Sequence, residues 1–204
     1  MIPIVLNNKE ILVSKVVCIG RNYSEHIKEL QNEVPSEMVF FIKPNSSISS
    51  SIVFPKGQNS CHYEAELSFL IKENKVHAVA FGLDMTLREK QSELKKKGLP
   101  WERAKSFKHA AVFSDFITCE EDVKNLSLEL YINGELKQEG GYDLMINKPK
   151  DIIREFNSFN SFDENDILMS GTPKGVGKFN IKDIFLGKIL LNGKTILEKE
   201  FIVS

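Results

Sequence analysis

The chain has 204 residues, enough for one hydrophobic core and short for two. Its 27 basic and 28 acidic side chains leave a net charge of −1, which provides no whole-chain field for nucleic acid or a membrane surface. No apolar run reaches the roughly 18 residues of a membrane span, and residues 1–7 show no basic segment leading into an apolar stretch and cleavage site. A cytoplasmic protein is the default expectation. Cys18, Cys61 and Cys119 form no CxxC pair and no disulfide framework, so they read as free thiols, buried or half-buried. No repeat or linker interrupts the chain, and residues 1–204 are expected to form a single domain.

Taken in order, the elements are mostly short strands. The pattern predicts strands at 11–13 and 15–19, then a helix at 24–31. Strands at 63–71 and 76–82 flank Lys72-Glu73-Asn74-Lys75, a hairpin loop. A second helix starts at Thr86-Leu87-Arg88-Glu89, which reads as a capping box with Thr86 as the cap. Lys95–Lys97 suit its last turn, and Gly98 with Pro100 stops it. Strands at 127–132 and 135–138 enclose Asn133-Gly134, and strands at 190–191 and 195–201 enclose Asn192-Gly193. Asn-Gly is the strongest short hairpin signal. A third helix is predicted at 150–159, after Pro149. Many strands and few helices imply an α+β, β-rich fold with peripheral helices.

Four places carry residues suited to chemistry. In His62-Tyr63-Glu64-Ala65-Glu66-Leu67-Ser68-Phe69, alternation sends Tyr63, Ala65, Leu67 and Phe69 to one face, and Glu64 and Glu66 to the other. An isolated E-x-E is usually the solvated face of a half-buried strand, yet two such carboxylates also suit a hard divalent cation. The hairpin brings the chain back so that Asp84 of Gly82-Leu83-Asp84-Met85-Thr86 can face them as a third oxygen donor. His26 and Glu29 stand i, i+3 on the first helix, where a carboxylate can orient an imidazole base. Ser170-Gly171-Thr172-Pro173-Lys174-Gly175-Val176-Gly177 is a Gly-rich turn that could offer backbone N–H groups and the Thr172 hydroxyl to an anion. It lacks the spacing and the following helix of a P-loop. Lys105, on residues alone, is one more solvated lysine.

Together and in this order, the motifs resemble the fumarylacetoacetate hydrolase family. The segments are GRNYSEH (20–26), FIKP (41–44), HYEAEL (62–67), GLDMT (82–86), GLPWERAKSF (98–107) and GTPKGVG (171–177). The short chain and KKKGLPW are most similar to its acylpyruvase branch. The resemblance implies a mixed β-roll, a homodimer, and Mg2+ or Mn2+ held by Glu64, Glu66 and Asp84. It implies His26 with Glu29 as a general base, Lys105 as an active-site lysine, and Arg21, Gln91 and Thr172 as substrate contacts. Gln91 would lie a turn or so beyond Asp84 on a face turned to the metal.

The implied substrate is a small α-keto acid. The reaction expected first is hydrolysis of an acylpyruvate-type β-diketo acid through a Mg2+-held pyruvate enolate. The same enolate serves oxaloacetate decarboxylation, keto–enol tautomerisation or muconate-type isomerisation. A catalytically silent metal-binding protein is the non-enzyme alternative, and a nucleic-acid-binding β-roll conflicts with the charge balance. Three departures from the family pattern bear on the site. The loop between the two hairpin strands is short, which suggests a reshaped site edge. Lys108 adds charge after the AKSF segment. Asn165-Asp166 replaces the usual Gly-Asp turn, where Asn tolerates the same left-handed backbone.

Overall fold

A computed structural model of the chain describes residues 1–29, 35–119 and 123–204. Strands β1 (Pro3–Leu6) and β2 (Lys9–Leu12) form an N-terminal hairpin. Strand β3 (Lys15–Gly20) runs into helix α1 (Ser24–Glu29), and β4 (Val39–Pro44) pairs antiparallel with β3. The predicted last residues of that helix, 30 and 31, lie outside the described residues. Short strands β5 (Ile48–Ser49) and β6 (His62–Tyr63) precede the long hairpin of β7 (Ala65–Lys72) and β8 (Lys75–Asp84). Helices α2 (Arg88–Lys96) and α3 (Glu102–Lys105) come next, then β9 (Ala111–Phe113) and β10 (Ile117–Thr118). The remainder is β11 (Leu126–Ile132), β12 (Glu135–Gly141), helix α4 (Pro149–Phe156), β13 (Ile167–Met169), β14 (Gly177–Lys178), β15 (Ile184–Leu191) and β16 (Lys194–Ile202).

The main sheet has the order β4-β3-β13-β7-β8-β9-β5, with β10 also on β8. It is mixed, because β13 runs parallel to β3 and antiparallel to β7. Both faces of its central strands are covered, so β7 is buried along nearly its whole length rather than alternating. One face packs on the antiparallel sheet β12-β11-β15-β16. There Phe81 lies 6.5 Å from Phe201, and Tyr63 stands edge-on to Phe185 at 5.6 Å. Gly187 permits this approach, since a Cβ on it would come within 2.4 Å of the Phe81 ring. The other face buries Val16, Cys18, Leu70 and Ala80 with Ile4 and Phe116. The result is the expected β-rich α+β fold, a mixed β-roll with peripheral helices.

Turn chemistry sets the registers. Both Asn-Gly hairpins form, with Asn133 and Gly134 at φ 52° and 82°, and Asn192 and Gly193 at 51° and 74°. Glu73 and Asn74 take the same left-handed conformation in the β7–β8 turn, as type I′ geometry requires. Asn165 has φ 68°, so it does stand in for a glycine.

Four expectations need correction. The strand predicted at 63–71 breaks at Glu64, because the Ala65 N–H bonds the Gln138 side chain at 2.9 Å instead of a neighbouring strand. Thr86 does not cap α2; Leu87 occupies that position, and the Thr86 hydroxyl donates to the Asp84 carbonyl at 3.1 Å. Helix α4 ends at Phe156 rather than 159, with the chain turning through Asn157. The short hairpin turn at Glu73-Asn74 lies at the far end of β7 from Glu64 and Glu66, so it does not shape the acidic cluster's edge. Cys18 and Cys61 are buried, Cys119 is half-buried, and none of the three is in a disulfide. Among the described residues no helix is long and apolar enough to cross a membrane.

Candidate active site

The hairpin register builds the acidic cluster. Ala65 pairs with Leu83 and Glu66 with Gly82, which puts Glu64 beside Asp84; the Asp84 N–H donates to the Glu64 carbonyl at 2.8 Å. Glu64, Glu66 and Asp84 each direct one carboxylate oxygen to a common point, and these atoms lie within 4.8 Å of one another. They are not a solvated strand face: their exposures are 5%, 2% and 1%. Burying an unpaired carboxylate costs on the order of several kcal/mol, so cations must be near.

Three cations are. Lys105 is buried rather than solvated, and its ammonium donates to Glu64 at 2.8 Å, Asp84 at 2.6 Å and the Thr86 hydroxyl at 2.7 Å. Lys43, fully buried on β4, stands 2.8 Å from the other Asp84 oxygen and also donates to the Lys105 carbonyl. Arg88 donates to Glu64 and, at 2.8 Å, to Gln91. Sequence reasoning gave Lys43 and Arg88 no role. The available signals were a lysine inside the apolar run VFFIKP and the shared helical face of Arg88, Gln91 and Lys95.

The charges shift the titrations in opposite directions. Burial works to raise the Glu64 carboxyl, but Lys105 and Arg88 outweigh it and hold the group well below the usual range. Burial, reinforced by Asp84 and Glu64, pushes Glu66 well above it. Burial opposes the Lys105 charge, yet Asp84 and Glu64 overcome that and keep the ammonium protonated beyond its ordinary range. The mutual repulsion that raises Glu66 is what a divalent cation relieves, and an all-oxygen set of three carboxylates suits such a cation. The donor set could therefore hold a metal ion.

The other predicted residues surround this cluster. Arg21, His26, Gln91 and Thr172 line the same cleft as the three acids and Lys105. Arg21 sits at φ 59° where β3 turns into α1. Nδ1 of His26 lies 3.2 Å from Glu29, which stands just outside the cleft lining and accepts the Gly175 N–H at 3.0 Å. With a carboxylate on Nδ1, that nitrogen carries the proton and Nε2 is free to accept. The Gly-rich loop spends its groups on the protein itself. Gly171 N–H donates to Glu66 at 2.7 Å, and the Thr172 hydroxyl donates to the Ala65 carbonyl at 2.9 Å. Gln138, another residue missed in the sequence, ties that loop to the start of β7 through Thr172 and Pro173. Lys108 is exposed and does not line the cleft.

The family profile described as fumarylacetoacetate (FAA) hydrolase C-terminal matches residues 15–199. The chain belongs to that family. It is 39% identical over 184 residues to the Bos taurus protein named oxaloacetate tautomerase FAHD1, mitochondrial, covering 82% of this chain and 83% of that one. It is also 39% identical over 188 residues to Escherichia coli oxaloacetate tautomerase YcgM, with coverage of 84% and 86%. Among solved structures, fumarylpyruvate hydrolase from Pseudomonas aeruginosa in complex with Mn2+ and pyruvate matches with a TM-score of 0.90 at 26% identity, over 100% of this chain and 95% of that one.

Proposed function

We propose that this family member is an oxaloacetate keto–enol tautomerase that requires Mg2+ or Mn2+, acting as one catalytic unit over residues 1–204. The observation that carries the reading is the protonated Lys105 held against a buried triad of carboxylates in a cleft for a small ligand. The 39% identity to proteins named oxaloacetate tautomerase supports the choice of keto acid. In this reading Glu64, Glu66 and Asp84 hold the cation. When bound, it supplies Lewis acidity toward the keto oxygen and α-carboxylate of the substrate.

The remaining chemistry belongs to side chains of this chain. His26, oriented by Glu29, takes the proton from C3. The C–H electron pair becomes the C2–C3 double bond, and the carbonyl pair moves onto oxygen. The positive charge of Lys105 stabilises that oxygen as its own charge develops. His26 returns the proton to the oxygen, so one proton moves and no water is consumed. Arg21, Gln91 and the Thr172 backbone orient the substrate. Homodimerisation is part of the proposal by analogy with the family; a cytoplasmic setting is proposed as the default and not by analogy, since the Bos taurus relative is named mitochondrial.

The second reading is hydrolysis of an acylpyruvate. The His26–Glu29 contact favours it, because the same base can activate water. Arg21 also borders a neighbouring cleft of about 290 Å³ with Met38 and Ile146, which offers room for a larger acyl group. The deciding assay follows loss of enol absorbance from oxaloacetate, and pyruvate release from acetylpyruvate, with Mg2+, Mn2+ or chelator. Chelator-sensitive enol equilibration is expected. Pyruvate release from acetylpyruvate without any acceleration of oxaloacetate equilibration would replace tautomerase by hydrolase. Metal binding with neither activity would make the protein catalytically silent.

A further inference from the structure

Helix α2 presents Arg88, Gln91 and Lys95 to the cleft along one face. The first two are committed, Arg88 to Glu64 and Gln91, and Gln91 to Arg88. Lys95 differs. It lies one turn beyond Gln91, away from the carboxylate triad by about 6 Å along the helix. It is half-buried, and among the described residues no carboxylate pairs with its ammonium, which lies 4.8 Å over the Trp101 ring. The next two lysines along the chain are solvated or paired: Lys96 is exposed, and Lys97, just past the helix, bonds Glu93 at 2.8 Å.

A half-buried cation without an acid is costly. Burial, followed by the charges of Arg21, Arg88 and Lys105, pushes the Lys95 ammonium down to about 8, against a weaker pull from Glu64. Four cationic side chains thus face three carboxylates around this cleft, before any divalent cation is counted. An anion arriving with the ligand would relieve that excess. One carboxylate of an α-keto acid belongs at the triad; a second, at the far end of a four-carbon chain, would meet the outer end of the α2 face.

We propose that Lys95 is a specificity residue that selects dicarboxylates, by binding the carboxylate distal to the one at the triad. The Trp101 ring holds the ammonium itself at the cleft lining. The proposal rests on the reading of the cleft as an α-keto acid site, but it concerns binding and can be tested without turnover.

Malate and lactate make the test. Both offer an α-hydroxycarboxylate, and only malate has the distal carboxylate. Titrating each into the Mg2+-loaded protein by calorimetry should show malate tighter by about 10- to 100-fold, the range for a hydrogen bond to a charged group. In Lys95→Met, which keeps an unbranched side chain of similar length and removes the charge, the preference should fall to near parity with lactate affinity unchanged. Lys95→Arg should retain most of it, and Lys96→Met all of it. Equal binding of malate and lactate by the parent, an unchanged preference in Lys95→Met, or an equal loss of both ligands would each overturn the proposal. A Lys95-dependent preference in a protein that does not equilibrate oxaloacetate would leave this inference standing and remove the tautomerase.

Discussion

Lys15 and Lys105 each meet two carboxylates, and the two clusters differ in how completely those acids are satisfied. Lys15 of β3 lies 2.7 Å from Asp163 and also pairs with Asp166; Lys105 of α3 lies 2.8 Å from Glu64 and 2.6 Å from Asp84. Around Lys15 the acceptors are filled. Buried Asp166 accepts from the Ser14 hydroxyl at 3.0 Å, the Lys15 N–H at 3.1 Å and the Asp163 N–H at 2.8 Å. Solvent-facing Asp163 is held below the usual carboxylate range by Lys15. Around Lys105 a third buried acid, Glu66, adds charge that burial, Asp84 and Glu64 drive toward protonation. The first cluster is closed and lies outside the cleft; the second leaves Glu66 with no paired cation among the described residues and opens on that cleft. Similar ion-pair distances thus serve architecture in one place and readiness for a ligand in the other.

The sharpest break of that comparison is to remove a donor from the open cluster. Asp84→Asn should lower kcat/KM for oxaloacetate equilibration by about 10³-fold or more, in line with losing the divalent cation. Calorimetry should show Mn2+ affinity reduced at least 10-fold. Unimpaired Mn2+ binding would remove Asp84 from the metal set. Next in size is Lys105→Met, expected to cut kcat by about 10²- to 10³-fold, as for loss of a fixed charge that stabilises a developing oxyanion. It should also leave Glu64 and Asp84 under-neutralised, so the melting temperature should fall in chelator and recover with excess Mn2+. A melting temperature that drops equally with and without Mn2+ would make Lys105 architectural, like Lys15.

The two clusters were unequally legible in the sequence. The E-x-E spacing and the β7–β8 hairpin were enough to bring Asp84 to Glu64 and Glu66, because period-2 alternation and turn geometry are local rules. His26 and Glu29 met for the same reason, at i, i+3 on one helix. Thr86 misled because its role is tertiary: a cap-like sequence was claimed by Lys105 and the Asp84 carbonyl. Lys43 and Arg88 were missed because their partners are 41 and 24 positions away, and residue type alone does not reveal a long-range charge partner. Asp166 carried only a turn signal at Asn165-Asp166; its role as an acceptor for β3 depends on the parallel pairing of β13 with β3.

Breaking the closed cluster should affect folding and not chemistry. Asp166→Ala strands three donors around β3 and β13, which predicts a loss of about 2–4 kcal/mol in urea unfolding. The kcat per folded molecule should stay within about twofold of the parent. A fall in kcat matching that of Asp84→Asn would mean that the two clusters are coupled through β13 and β7, and that the contrast between them is false.

The smallest effect tests the unpaired Glu66 directly, through Glu66→Gln. A carboxyl whose folded titration is raised above its ordinary 4.5 binds its proton more tightly in the folded state. Its contribution is therefore present below about pH 4.5 and is lost as pH rises through the raised value. In chelator, stability of the parent should decline with pH above 4.5, at no more than about 1.4 kcal/mol per pH unit for one proton. Glu64 has the opposite sign: its lowered titration stabilises the fold above 4.5 and fails only in stronger acid, outside this window. Glu66→Gln removes the titrating proton while keeping the shape, so the decline should disappear. Saturating Mn2+ should remove it in the parent as well, because the cation takes the place of the proton. Identical pH slopes for parent and Glu66→Gln in chelator would show that Glu66 is already neutralised by its protein neighbours, and the open cluster would then be as closed as the one around Lys15.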